Sequence, residues 1–86
     1  MYLAEYLGSL FIMYIILVTG SPIAIGAAFA IAIALTLKIS GGMFNPMIDI
    51  VMAVGGKIPY SEVLPRILVQ IAGGLTALEL TKLVKV

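Results

Sequence analysis

The residues best placed to do chemistry are Asn45 and the run around it, Ser40-Gly41-Gly42-Met43-Phe44-Asn45-Pro46-Met47. An asparagine amide both donates and accepts hydrogen bonds. Asn followed by Pro is a helix start, with Asn at the N-cap and Pro, its φ already set, in the first helical position. Gly41 and Gly42 permit the turn that precedes it, positive φ included. The run lies between two long apolar segments, where irregular backbone is tolerated only if protein or water satisfies it. It therefore reads as a loop that dips into a membrane and starts a short half-helix at Asn45. Such a helix end carries about half a positive charge, and a donor beside it suits a pore or a binding site. The alternative, that Asn45 caps only its own helix, stays open on the residues alone. So does an ordinary interfacial turn for Gly41 to Phe44.

The remaining side chains exclude several functions. There is no histidine and no cysteine, which removes the commonest general base, thiol chemistry and zinc–thiolate sites. Four acids, Glu5, Asp49, Glu62 and Glu79, are scattered along the chain and form no acid–base pair. No catalytic residue, metal site or cofactor is expected. The net charge of +1, without a Lys/Arg cluster, gives no reason to expect a nucleic-acid partner.

Of 86 residues, 63% are hydrophobic and only 10% charged. So small a soluble domain cannot hide that much apolar surface, so lipid is the expected solvent. The expected elements follow from the breakers. A first helix over Leu3 to Val18 is just long enough to span. It lacks the basic flank of a signal peptide and reads as a retained span over Met1 to Thr19. Thr19-Gly20-Ser21-Pro22 ends it, caps the next helix through Ser21 and forces an antiparallel hairpin. A second helix, Pro22 to Ile39, is rich in alanine, which allows close helix contact in lipid. Pro46 to Val54 is too short to span and stops at Gly55-Gly56. Lys57 to Ser61 is an interfacial turn in which Ser61 can cap a third helix. That helix runs from about Glu62 to Lys82 or beyond, with Gly73-Gly74 in mid-span and a basic tail, Lys82 and Lys85. The fold class is an all-α membrane protein, one domain over residues 1–86, with three transmembrane helices and one re-entrant half-helix.

This layout resembles one half of an aquaporin/glycerol facilitator, the major intrinsic protein family. Ser40 to Asp49 resembles that family's S-G-A-H-x-N-P-A-V-T motif. Ala4-Glu5-Tyr6-Leu7-Gly8-Ser9 resembles the A-E-F-x-G-T of its first helix, and Gln70-Ile71-Ala72-Gly73-Gly74 the Q-x-x-G-A of its third. The chain departs from the pattern at Met43, Met47 and Asp49, where the family has His, Ala and Thr. Ile48 stands where the arginine of the family's second repeat would stand. Counting back from Asn45 puts Ile25 where the family often has a pore-constricting aromatic, and Phe29 takes that place only if one helical turn is deleted.

The resemblance implies that Asn45 donates to a permeating water or hydroxyl, with Pro46 starting the half-helix. It implies that Gly41, Gly42, Met43 and Phe44 offer a ladder of backbone carbonyls. Glu5 would be buried and bind the re-entrant backbone, unless it is simply a solvated terminal acid. Gln70 can hydrogen-bond between helices. Asp49 either stabilises the first turn of its helix or lines the pore and weakens cation exclusion. Arg66, four residues after Glu62, is expected to form a snorkelling helical pair with it rather than to replace the filter arginine.

A family channel is two inverted repeats, so one repeat needs a second half. An inverted second copy, giving an antiparallel dimer or higher homo-oligomer, is the simplest source; a second half-channel protein is another. The two faces carry three basic residues (Lys38, Lys57, Arg66) against two (Lys82, Lys85), a bias weak enough to be compatible with dual topology. Two functions are therefore expected. The first is a passive half-channel for water or small uncharged solutes such as glycerol. The second is a non-conducting structural or assembly protein that keeps the same fold. Either is an integral, multi-pass protein of a cellular or viral membrane, surrounded by membrane lipid.

Overall fold

The computed structural model describes residues 1–84; Lys85 of the basic tail lies outside the described residues. Among the described residues four helices follow in order: α1 (Tyr2–Thr19), α2 (Pro22–Ser40), α3 (Pro46–Val54) and α4 (Val63–Val84). A 3₁₀ turn, Tyr60–Glu62, leads into α4. Among the described residues three segments are long and apolar enough to cross a membrane: Tyr2–Thr19, Pro22–Ser40 and Tyr60–Val84. The nine residues of α3 rise about 14 Å, half of a hydrocarbon core of ~30 Å. The long axis of the molecule, 41 Å, matches a bilayer of about 40–45 Å with its headgroups.

Local chemistry sets the boundaries. Gly20 takes the left-handed conformation (φ 57°) that closes α1, and its N–H bonds the carbonyl of Ile16. Ser21 then accepts from the Ala24 N–H at 3.3 Å, and Pro22 opens α2. Ser61 does not cap the last span as expected. It lies inside the 3₁₀ turn, whose cap position is Pro59, and no side chain caps that turn. A tighter 3₁₀ first turn takes the place of a side-chain cap here.

α1 is the central element and packs against both α2 and α4, while α3 packs on α4. The apolar core is small: Ile12, Ala28, Ala32 and the loop residue Phe44. Only part of the alanine surface of α2 is used, since Ala27, Ala30 and Ala34 remain exposed. Much of the remaining interior is polar, Glu5, Ser9, Ser40, Asp49, Arg66 and Gln70 all being buried. Leu3, Ile23, Leu35 and Leu64 are instead more than 60% exposed. This inverted pattern suits lipid, which solvates leucine and isoleucine but not charge.

One further bond joins α1 to α4. Thr76 Oγ1 donates to the Ala72 carbonyl at 2.8 Å, so the Tyr6 hydroxyl is the donor in its 2.7 Å bond to Thr76 Oγ1. Tyr6→Phe is expected to cost only about 0.6 kcal/mol, the usual value of an interhelical hydrogen bond in a membrane protein. Unfolding in mixed micelles would measure it, and a loss several times larger would show that this bond carries the helix pair.

Candidate functional site

The Asn-Pro segment is held from three sides. α2 ends at Gly41 (φ 88°), whose N–H returns to the Leu37 carbonyl. Gly42 (φ 62°) lies against Ile33 so closely that a Cβ there would sit 3.2 Å from the Ile33 Cα. Both glycines are required for the turn. Phe44 also has positive φ, 50°, although it carries a side chain. Such a conformation costs of order 1–3 kcal/mol and persists only where its surroundings enforce it. Two contacts do so here: its N–H donates to Glu5 Oε1 at 3.0 Å, and its ring rests on Gly8 of α1.

Asn45 then adopts an extended conformation (φ −151°, ψ 124°), and its Oδ1 accepts from the Met47 N–H at 2.8 Å. Pro46 occupies the first helical position. The amide Nδ2 of Asn45 donates no hydrogen bond among the described residues, and the residue is only half-buried. One side chain thus caps α3 and keeps a free donor beside the positive helix end.

Glu5 is the hub behind this arrangement. Oε1 accepts from Phe44 N and from Gln70 Nε2 at 2.9 Å, and Oε2 accepts from Ser40 Oγ at 2.6 Å. Glu5 is 0% exposed, so it is not a solvated terminal acid. It ties α1 to the end of α2, to the loop and to α4.

Arg66 departs from expectation. Its pair with Glu62 is present, at 2.9 Å. The guanidinium does not snorkel outward, however. It is buried, donates from Nη1 to the Ser40 carbonyl at 2.6 Å and lies 3.9 Å from Glu5 Oε2. The carbonyl at the end of α2 has no helical partner, and the planar fork of arginine reaches it and Glu62 together.

Asp49 also differs from its pore-lining expectation. The face of α3 that carries Asp49 and Ala53 is buried, and α3 packs on α4, so the carboxylate faces Gln70 instead of an open surface. Met43 and Phe44 bury their side chains. Phe29, Phe44, Pro46 and Gln70 border a shared apolar cleft of about 290 Å³, while Ile25, half-buried, is not part of it. Among the described residues no three His, Cys, Asp or Glu side chains meet to hold a metal.

Reading along the chain singled out Gly8 only as part of a motif, without its contact to the Phe44 ring, and missed the inward role of Arg66. Their helical spacing carries the signal. Glu5, Gly8, Ser9 and Ile12 form the buried stripe of α1, and Arg66, Gln70, Gly73 and Ala77 that of α4.

The family model described as major intrinsic protein matches residues 1–86. The chain is 33% identical over 85 residues to glycerol uptake facilitator protein-like 6 of Lactiplantibacillus plantarum, covering 88% of this chain and 39% of that protein. It is 40% identical over 50 residues to the glycerol uptake facilitator protein of Streptococcus pneumoniae, covering 58% of this chain and 21% of that protein. The matches thus span well under half the length of these curated relatives. No solved structure matches the chain.

Proposed function

Because the chain belongs to the major intrinsic protein family, a family of channels and not of enzymes, we propose that it forms one half of a passive channel for water and small uncharged solutes such as glycerol. The observation that carries this reading is Asn45, which caps α3 with its oxygen and leaves its amide nitrogen free beside the helix start. A fixed donor next to a positive helix end binds a hydroxyl or water oxygen and repels cations. The segment dips into the membrane as a re-entrant loop, the shortness of α3 and the burial of Phe44 among spanning helices supporting that placement. Backbone carbonyls from Gly41 to Phe44 supply acceptors along the path, and Phe29, beside Phe44 and Pro46, narrows it. A second unit of like fold, inserted in the inverted orientation, completes the wall. It is either another copy of this chain or a different half-channel. The names of the relatives supply glycerol as the permeant to test first.

Stopped-flow light scattering on proteoliposomes tests the proposal. Osmotic shrinkage and subsequent glycerol entry are expected to be fast with the protein and slower in Asn45→Leu. Losing one hydrogen-bond donor worth about 1.4 kcal/mol in the barrier slows passage about tenfold. Asn45→Ser, whose hydroxyl still caps the helix but reaches less far, separates the donor role from the cap and is expected to be slow too. Wild-type rates equal to those of empty liposomes, with folded protein inserted in both orientations, would refute conduction and favour an assembly role.

A further inference from the structure

Two acids and one arginine are buried together. Glu5 and Asp49 are 0% exposed and Arg66 3%. Glu62 also pairs with Arg66 but keeps a quarter of its side chain exposed. With both buried acids ionised, this interior holds one excess negative charge, which is costly out of water.

Hydrogen bonding distinguishes the two acids. Glu5 accepts from Ser40, Phe44 and Gln70, as a carboxylate should. Among the described residues neither oxygen of Asp49 accepts a bond, and both are closed off from solvent. Asp49 faces Gln70, with Glu5 and Arg66 the charged groups around it. Gln70 gives one of its two Nε2 hydrogens to Glu5 and the other reaches no Asp49 oxygen, while its own Oε1 is buried and unpartnered as well among the described residues. A carboxylate and an amide oxygen are both acceptors and cannot bond each other, whereas a carboxylic acid can donate to that oxygen.

We propose that Asp49 is held as a neutral carboxylic acid, its O–H directed at Gln70 Oε1, so that the start of α3 contains a proton-binding site. One proton removes the excess charge and supplies the missing donor, and it needs no cavity. The charged groups facing it are Glu5 from α1 and Arg66 from α4; α3 itself carries no other charge. An ionised carboxylate in this first turn offsets the positive end of the helix, and a neutral acid leaves that end intact beside Asn45. The inference does not depend on conduction.

Asp49 is the only aspartate in the sequence, so aspartate labelled with ¹³C at its side-chain carboxyl reports on it in the unaltered protein. Infrared spectra of labelled and unlabelled protein in lipid bilayers at neutral pH give the test. The expected result is a protonated-acid C=O band that moves to lower frequency on labelling, with the carboxylate bands unmoved. A label shift confined to the carboxylate bands would overturn the proposal. So would a protonated-acid band that ignores the label, because that places the proton on a glutamate.

Discussion

Glu5→Ala is expected to cost about 3–5 kcal/mol, the range for removing one partner of a buried charge pair. The carboxylate accepts from Phe44 N, Gln70 Nε2 and Ser40 Oγ, and it faces Arg66. Alanine leaves those donors buried without partners, and each charge-assisted bond lost is worth about 1.5–3 kcal/mol. It also frees Phe44 from the bond that holds its positive φ. Glu79→Ala is the control. Glu79 lies 3.1 Å from Lys82, but both side chains are more than 60% exposed, so the change is expected to be small. Helical content followed by circular dichroism through a dodecyl sulfate titration in mixed micelles would compare the two. Equal midpoints for Glu5→Ala and the unaltered protein would show that the carboxylate hub does not hold the loop.

Gly73→Ala is expected to separate α1 from α4 and to abolish the folded state in detergent, while Gly74→Ala is tolerated. A Cβ on Gly73 collides with the carbonyl of Tyr6 and comes within 3.1 Å of Leu10 N and Ser9 Cβ. Two of those neighbours are backbone, so relief requires a helix to move. That motion strains the Tyr6–Thr76 and Gln70–Glu5 bonds that cross the same seam. A Cβ on Gly74 meets only the flexible Met13 side chain at 3.8 Å, an ordinary contact. Size exclusion and thermal melting of the two variants, made side by side, would decide. A well-folded Gly73→Ala protein would mean that the helices do not approach this closely in lipid.

The contrast between these glycines marks the limit of sequence reading here. Small residues in a span announce close packing, and Gly73-Gly74 announces it without saying which of the two meets the partner helix. That depends on helix rotation, which an almost uniformly apolar sequence leaves weakly marked. In water, hydrophobic periodicity would mark the inner face; in lipid both faces are apolar, and the buried stripe is written in polar and small residues instead. Glu5, Gly8 and Ser9 on α1, and Arg66, Gln70 and Gly73 on α4, are that stripe. For Arg66 the neighbouring acid Glu62 suggested a surface pair. The interior carbonyl of Ser40, 26 residues away in sequence, is what draws the guanidinium inward.

By itself the sequence determined the elements and their punctuation. Gly20, Ser21-Pro22, Gly41 and Asn45-Pro46 act through their own backbone preferences, so the bounds of α1, α2 and α3 are local properties. Composition likewise determined that the solvent is lipid. Tertiary structure decided where the Asp49 carboxyl and the Arg66 guanidinium go. From the sequence Asp49 either stabilised the first turn of its helix or lined a pore, and the docking of α3 on α4 buried it and turned it toward Gln70. Glu5 became the anchor of the Asn-Pro segment only because Ser40, Phe44, Arg66 and Gln70 converge on it from distant parts of the chain. A carboxylate buried away from water takes its meaning from the donors around it, and those donors are brought together by the fold.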